Sequence, residues 1–301
     1  MIKKYQHHLL LHFTILIWGL TGVIGRFLNN SGLESQHIVF WRMLIGWLSL
    51  MIYILLTMKT LAVNKKVFFQ LLGNGVLVAL HWYFFFEAIA RSNVSVALVF
   101  MSTTALFTSF VEPIITSKKF NPKELITSVL VIIGIIVIVN DLTYLNNNDY
   151  FIGVIYSLIS ALLAALFSVI NSVLVKKCHS AIISFYELLG GFLILSVIFF
   201  FSGELTIEEL SINSYQLSWL LFLGVICTSF AFLMGVYVMK FIPAYTVNLS
   251  VNLEPIYAII LALLFFRNEE LMSYNFYIGA IIILGSILLN AFFKKQKKRA
   301  T

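Results

Sequence analysis

Long runs of apolar residues, separated only by short charged connections, set the limits on what this chain can fold into. A run of about 18 apolar residues with few charges is long enough to cross the ~30 Å hydrocarbon layer as a helix. Backbone N–H and C=O groups cannot go unpaired in lipid, so helices and closed barrels are the spanning options. Barrel strands would alternate in hydrophobicity over ~10 residues, and these runs do not alternate. The pattern predicts an all-α polytopic membrane protein with ten transmembrane helices, at residues 8–27, 37–57, 67–90, 94–117, 123–140, 150–175, 182–201, 217–239, 244–266 and 272–293. The connections leave no room for a soluble domain. With 60% hydrophobic and 11% charged residues, the chain also lacks the charge that keeps a soluble domain dispersed.

The charges fix an expected orientation. Ten helices with the N-terminus inside place both termini in the cytoplasm. Of the 20 basic residues, Arg26, Arg91 and Arg267 then lie outside and Arg42 lies within helix 2; the other sixteen fall in inside segments. That bias is what the positive-inside rule requires. Glu34, Asp141, Asp149, Glu204, Glu208, Glu209, Glu269 and Glu270 fall outside. The expected location is the cytoplasmic (inner or plasma) membrane. The net charge of +7 thus reads as membrane orientation rather than nucleic-acid binding, and the basic run Lys294 to Arg299 reads as a stop-transfer anchor. Residues 1–22 resemble a signal peptide, with Lys3 and Lys4 before an apolar core, but no small-x-small cleavage site follows. They read as the first helix, uncleaved. Cys178 and Cys227 give neither a disulfide framework nor a metal spacing.

The two halves echo one another. Residues 38–46 in helix 2 parallel 183–191 in helix 7, which lays Arg42 on Glu187. Gly134 parallels Gly285, and Thr103-Thr104 lies on Glu254-Pro255. Five helices per half force opposite orientations, so the expected architecture is two inverted five-helix repeats, residues 1–145 and 146–301. Inverted repeats let one site open to alternate sides.

Trp18-Gly19, Trp41-Arg42, Thr228, Leu253-Glu254-Pro255-Ile256 and Glu269-Glu270-Leu271 together resemble the drug/metabolite transporter superfamily in its EamA-type branch, over essentially the whole chain. The resemblance implies a ten-helix fold around a central cavity and export or exchange of amino acids or related metabolites. One departure stands out: the family often carries an acidic residue after helix 4, where this chain has Lys118-Lys119.

Ionisable groups within lipid cost roughly 2.5–3.5 kcal/mol each at mid-helix and face the protein interior or water. Glu254 lies near the middle of helix 9, beside Pro255, which removes a backbone donor and loosens the helix. Asn248 and Asn252 form an i, i+4 polar pair there. The aligned region of the other half, Thr103 and Thr104, is polar but uncharged. Arg42 and Glu87 share a depth and have opposite sign, which suggests a pair acting as an outer gate or gripping a zwitterion; pairing of Glu87 with Arg91 is the structural alternative. Glu187 is read as an inner gate or coupling group, or else as a partner of Lys176 or Lys177. Glu112 is read as structural. His81 reads as an interhelical hydrogen-bonding histidine. Trp18, sharing a face with Thr14 and Thr21, and Trp82 offer aromatic walls. Ser160, Ala164, Ser168 and Ser172, like Gly19, Gly22 and Gly25, read as packing stripes.

The expected substrate-binding set is therefore Trp18, Arg42, Trp82, Glu87, Thr103, Thr104, Asn248, Asn252 and Glu254. The gating or coupling set is Arg42, Glu87, Glu187 and Glu254, with Glu254 the candidate proton carrier for its depth. No zinc helix, nucleophile elbow or phosphate loop is present. The expected function is a secondary transporter for a small-molecule metabolite, working by alternating access in the lipid bilayer, rather than an integral membrane enzyme or a passive channel. No cofactor, metal or nucleic acid is expected, and the assembly is a monomer or homodimer.

Overall fold

A computed structural model describes residues 2–57, 60–117, 122–139, 148–251 and 253–297. Every regular element among them is helical: α1 (Ile2–Asn30), α2 (Ser35–Thr57), α3 (Lys65–Arg91), α4 (Val94–Met101), α5 (Thr104–Thr116), α6 (Pro122–Val139), α7 (Asn148–Leu174), α8 (Ser180–Ser202), α9 (Ser214–Phe222), a π-helical segment (Leu223–Phe230), α10 (Ala231–Val238), α11 (Ala244–Val251), α12 (Glu254–Phe265), α13 (Arg267–Glu270) and α14 (Tyr274–Lys297). Seven stretches among the described residues are long and apolar enough to cross a membrane: Gln6–Asn30, Ser35–Thr57, Lys65–Arg91, Val94–Thr116, Asn148–Leu174, Ser180–Ser202 and Ser214–Val238. Three shorter apolar helices, Val129–Ile138, Glu254–Phe265 and Tyr274–Ser286, fall where spans five, nine and ten are expected.

The expected helices 4 and 9 are both interrupted near their middles, for different chemical reasons. In the first, Ser102, Thr103 and Thr104 each turn a hydroxyl back onto the carbonyl three residues earlier, at 2.5, 2.7 and 2.7 Å. Three successive side chains thereby compete for the acceptors a continuing helix would use. In the second, α12 starts at Glu254 with Pro255 in its first turn, where a missing N–H costs nothing.

The bundle interlocks across its length. The helix α3 packs on α7 and α8, and α2 on α8 and the π segment. The helix α1 packs on α10 and α12, α4 and α5 pack on α7, and α6 packs on α14. Close backbone approach carries two of these contacts. A Cβ on Gly75 would run into the backbone of Glu187, and one on Gly134 would lie 2.9 Å from the Gly279 carbonyl. Gly134 therefore meets Gly279, whereas Gly285 faces open space. The glycine stripe of α1 packs as expected: Gly19 on α12, Gly22 on α4 and Gly25 on the Phe86 ring.

Polar ties close one end of the bundle. Gln36 donates to Glu204 at 2.8 Å, Gln216 to the Ser31 carbonyl at 3.2 Å, Arg26 to the Ile89 carbonyl at 3.1 Å and Arg91 to Asp149 at 3.1 Å. At that end, too, the Glu270 carboxylate accepts the Val94 and Ser95 N–H groups, both at 2.9 Å. It thus satisfies the first orphan donors of α4. At the opposite end His7 stacks on Phe241, and Tyr186 donates to the Leu61 carbonyl.

Candidate functional site

The interior is not filled. A cavity with about 760 Å³ of empty space, open solvent included, lies between α1, α2, α3, α7, α10 and the two broken helices. Its lining runs from Arg42 and Phe85 to Met239 and Val247, toward the end where His7 meets Phe241.

Arg42 is the anchor of one wall and is almost fully buried. Its Nε donates to Thr228 Oγ1 at 2.7 Å, and its guanidinium carbon lies 3.7 Å from the centre of the Trp82 ring. Cation–π contacts of this kind contribute about 0.5–2 kcal/mol. The π segment is what sets Thr228 in place. Thr228 and Ser229 turn their hydroxyls onto carbonyls five residues back, Leu223 at 2.7 Å and Gly224 at 3.2 Å. Ser229 also reaches the Gly46 carbonyl of α2 at 2.7 Å. The arginine is not saturated: its Nη1 is buried without a hydrogen-bond partner. Buried donors are nearly always paired, so this one is available to a ligand.

Glu254 lines the same cavity and is 5% exposed. Among the described residues its carboxyl makes no hydrogen bond or ion pair. Asn248 sits one break away and bridges the cavity floor, donating to Thr108 Oγ1 at 2.8 Å and Ser168 Oγ at 2.6 Å. Trp18, Thr21 and Thr104 complete the polar and aromatic lining. Gly235 carries no side chain where the Trp18 indole lies against α10.

The structure thus brings Trp18, Arg42, Trp82, Thr104, Asn248 and Glu254 to one cavity. Thr103 stays outside it, fully buried, its hydroxyl spent on Phe100. Asn252 lies outside the described residues. The expected Arg42–Glu87 pair does not form. Glu87 instead lies 3.6 Å from Arg91 on its own helix, where i, i+4 spacing makes the shorter reach. Glu187 pairs with neither Lys176 nor Lys177. It is fully buried between Asn74, at 2.7 Å, and Asn171, at 3.1 Å. Glu112 is buried too. His81 Nδ1 lies 2.8 Å from Ser160 Oγ, the interhelical contact expected of it. The small-residue stripe of α7 does more than pack: Ala164 and Ser168 line the cavity, with Asn171 beyond them. The i, i+3/i+4 spacing of Ser168 and Asn171 on one helix face was the available signal for that wall. No group of three His, Cys, Asp or Glu among the described residues is arranged to hold a metal.

Comparison with known proteins agrees with a membrane carrier fold. An uncharacterized transporter of Archaeoglobus fulgidus is 23% identical over 285 residues, covering 94% of this chain and 96% of its own. The Pseudopaline exporter CntI of Pseudomonas aeruginosa is 27% identical over 159 residues, 53% of this chain and 54% of its own. A probable purine permease 5 of Arabidopsis thaliana is 23% identical over 190 residues, 58% and 52%. The match therefore spans about half the length of the last two. A solved crystal structure superposes with a TM-score of 0.66 over 94% of this chain and 95% of its own, at 14% identity, which speaks for the fold alone. These relatives are named for transport rather than catalysis. The EamA-like transporter family matches twice, over residues 7–140 and 151–292. The chain is a multi-pass membrane protein and belongs to the EamA-like transporter family.

Proposed function

We propose that this protein is a secondary transporter that exports or exchanges a small zwitterionic metabolite, an amino acid or a close relative, by alternating access. One observation carries the reading. Among the described residues, a guanidinium with an unpartnered N–H and a carboxyl with no partner face one cavity without pairing to each other. Two such groups left apart match a ligand that carries both signs. A carboxylate lies against Arg42 and Trp82, an ammonium against Glu254, and the side chain against the aromatic walls.

The architecture behind the reading is ten helices in two inverted repeats, residues 1–145 and 146–301. Both termini are cytoplasmic in the inner or plasma membrane. Helix pairing supports it. When each broken span is counted as one helix, ten apolar segments result. Helix 1 packs on 8 and 9 as helix 6 packs on 3 and 4, and helix 2 packs on 8 as helix 7 packs on 3. Pairs 2–7, 4–9 and 5–10 map onto themselves. That neighbour list survives exchange of the halves, as alternating access by two related bodies requires.

Counterflow in proteoliposomes tests the reading. Vesicles loaded with unlabelled amino acids should take up labelled ones with saturation. Glu254→Gln should weaken amines more than simple carboxylates. Flux without saturation would make the protein a channel, and a chemically altered solute would make it an enzyme; either result overturns the proposal.

A further inference from the structure

We propose that Glu187, clasped by Asn74 and Asn171, is a proton-binding site distinct from the solute cavity but bordering it, and that its proton is the one exchanged for solute. The second half of this statement rests on the transport reading above; the first does not.

Three structural facts point to a bound cation. Glu187 has no exposed surface and lies inside the bundle where α3, α7 and α8 meet. Its two carboxyl oxygens face only amide nitrogens, Asn74 Nδ2 at 2.7 Å and Asn171 Nδ2 at 3.1 Å, with no cationic side chain within ion-pair distance among the described residues. An isolated charge in that position is costly. Beside it, Asn74 Oδ1 is buried, with Asn74 only 3% exposed, and has no hydrogen-bond partner. Asn74 Nδ2, with two hydrogens, lies near three acceptors: Glu187, Asn171 Oδ1 at 3.1 Å and the Phe167 carbonyl at 3.3 Å. The cluster is therefore one hydrogen short and holds one idle acceptor.

A proton on Glu187 removes the isolated buried charge and supplies the hydrogen the cluster lacks. The carboxyl becomes a donor, and Asn74, turned about its amide, presents Oδ1 to receive it, at the cost of its N–H contacts to Asn171 and Phe167. The same side chains then serve both states of the site. As the two amides are placed, N–H groups face both carboxyl oxygens, an arrangement that favours a proton over a metal cation. Access runs through Asn171, which both donates to Glu187 and lines the cavity. The proton site and solute site thus share a wall, which is the arrangement that exchange requires.

The other ionisable groups around α8 are turned elsewhere. Arg42 of α2 lies over Trp82, and His81 of α3 is bonded to Ser160. His37 of α2 lies 3.9 Å from Glu204, beyond the far end of α8. Glu87 and Arg91, at the end of α3, pair with each other. Lys65 and Lys66 at the start of α3 are exposed, as are Lys176 and Lys177 after α7. Tyr237 of α10 packs on Phe241 and His7. Tyr186, next to Glu187 on α8, donates outward to the Leu61 carbonyl. Burial, and after it the Glu187 charge, push the half-buried Cys178 thiol up.

Two measurements test the proposal. Infrared difference spectra of the purified protein in nanodiscs, without solute, should show a protonated carboxyl band that fades as the medium is made alkaline. Glu187→Gln should abolish it and Glu187→Asp should shift it, while Glu254→Gln leaves it in place. In proteoliposomes, a pH gradient should drive wild-type accumulation, roughly tenfold per pH unit for one proton exchanged. Glu187→Gln should keep counterflow but lose that response, and sodium and choline media should behave alike. A band unaffected by either Glu187 variant, a gradient response retained in Glu187→Gln, or a requirement for sodium overturns the inference while saturable counterflow still stands. Absence of any counterflow overturns the transport reading instead, and the infrared band then decides the proton site alone.

Discussion

Arg42 and Glu187 occupy aligned positions in helices 2 and 7. Each is buried, and each bonds to a polar side chain across the bundle: Arg42 to Thr228, Glu187 to Asn74. Their surroundings then diverge. Arg42 lies against an aromatic ring on the cavity wall and keeps an unused N–H. Glu187 is shut between two amides, with the backbone of α3 pressed against its own at Gly75. The same framework thus makes an open charge on one side and a sealed one on the other. What a buried charge can bind is decided less by its sign than by the space around it: the open guanidinium leaves room for a molecule, whereas the clasped carboxyl leaves room for little more than a proton.

Substitutions at four positions break or sharpen that contrast. Arg42→Ala should have the largest effect, costing about 3 kcal/mol of solute binding, roughly a hundredfold in affinity. Arg42→Lys should recover little, because a point charge cannot both stack on Trp82 and reach Thr228. A lysine variant that binds as well as wild type would mean the open side needs only charge. Gly75→Ala should act on the sealed side alone, lowering stability by about 1–3 kcal/mol in thermal unfolding as α3 and α8 are forced apart. If it weakened solute binding as much as stability, the two regions would not be separable. Thr228→Val should cost about 1.5 kcal/mol of binding, near tenfold, with Thr228→Ser close to wild type. Trp82→Phe should have the smallest effect, about 1 kcal/mol in a binding titration, since phenylalanine keeps a weaker ring face for Arg42.

Much of this was legible in the residues, and the failures have physical causes. The apolar runs locate the helices because lipid leaves the backbone no other solution; the run 37–57 becomes Ser35–Thr57. Arg42 and Glu254 reach the cavity because a charge at that depth has nowhere else to go. Of the two partners the sequence offers Glu87, the structure takes Arg91, because matched depth says nothing about facing and Arg91 waits one turn away on the same helix. Thr103 and Thr104 look equivalent in sequence, but the break between α4 and α5 turns only Thr104 to the cavity. The π segment left no spacing signal, since its i−5 bonds show only once Thr228 and Ser229 are folded. Asn74, Asn171 and Glu187 come from three helices, and contacts between spans depend on packing that periodicity does not encode.

The Glu270 carboxylate sets a condition on any movement at the tied end. It spans from the 266–273 connection to the first two N–H groups of α4, so it works as a clasp rather than as a surface charge. Parting those elements strands both donors and an anion at once, and unless water enters with the gap each loses about 1–3 kcal/mol. Any separation there is therefore a wetting event as much as a mechanical one.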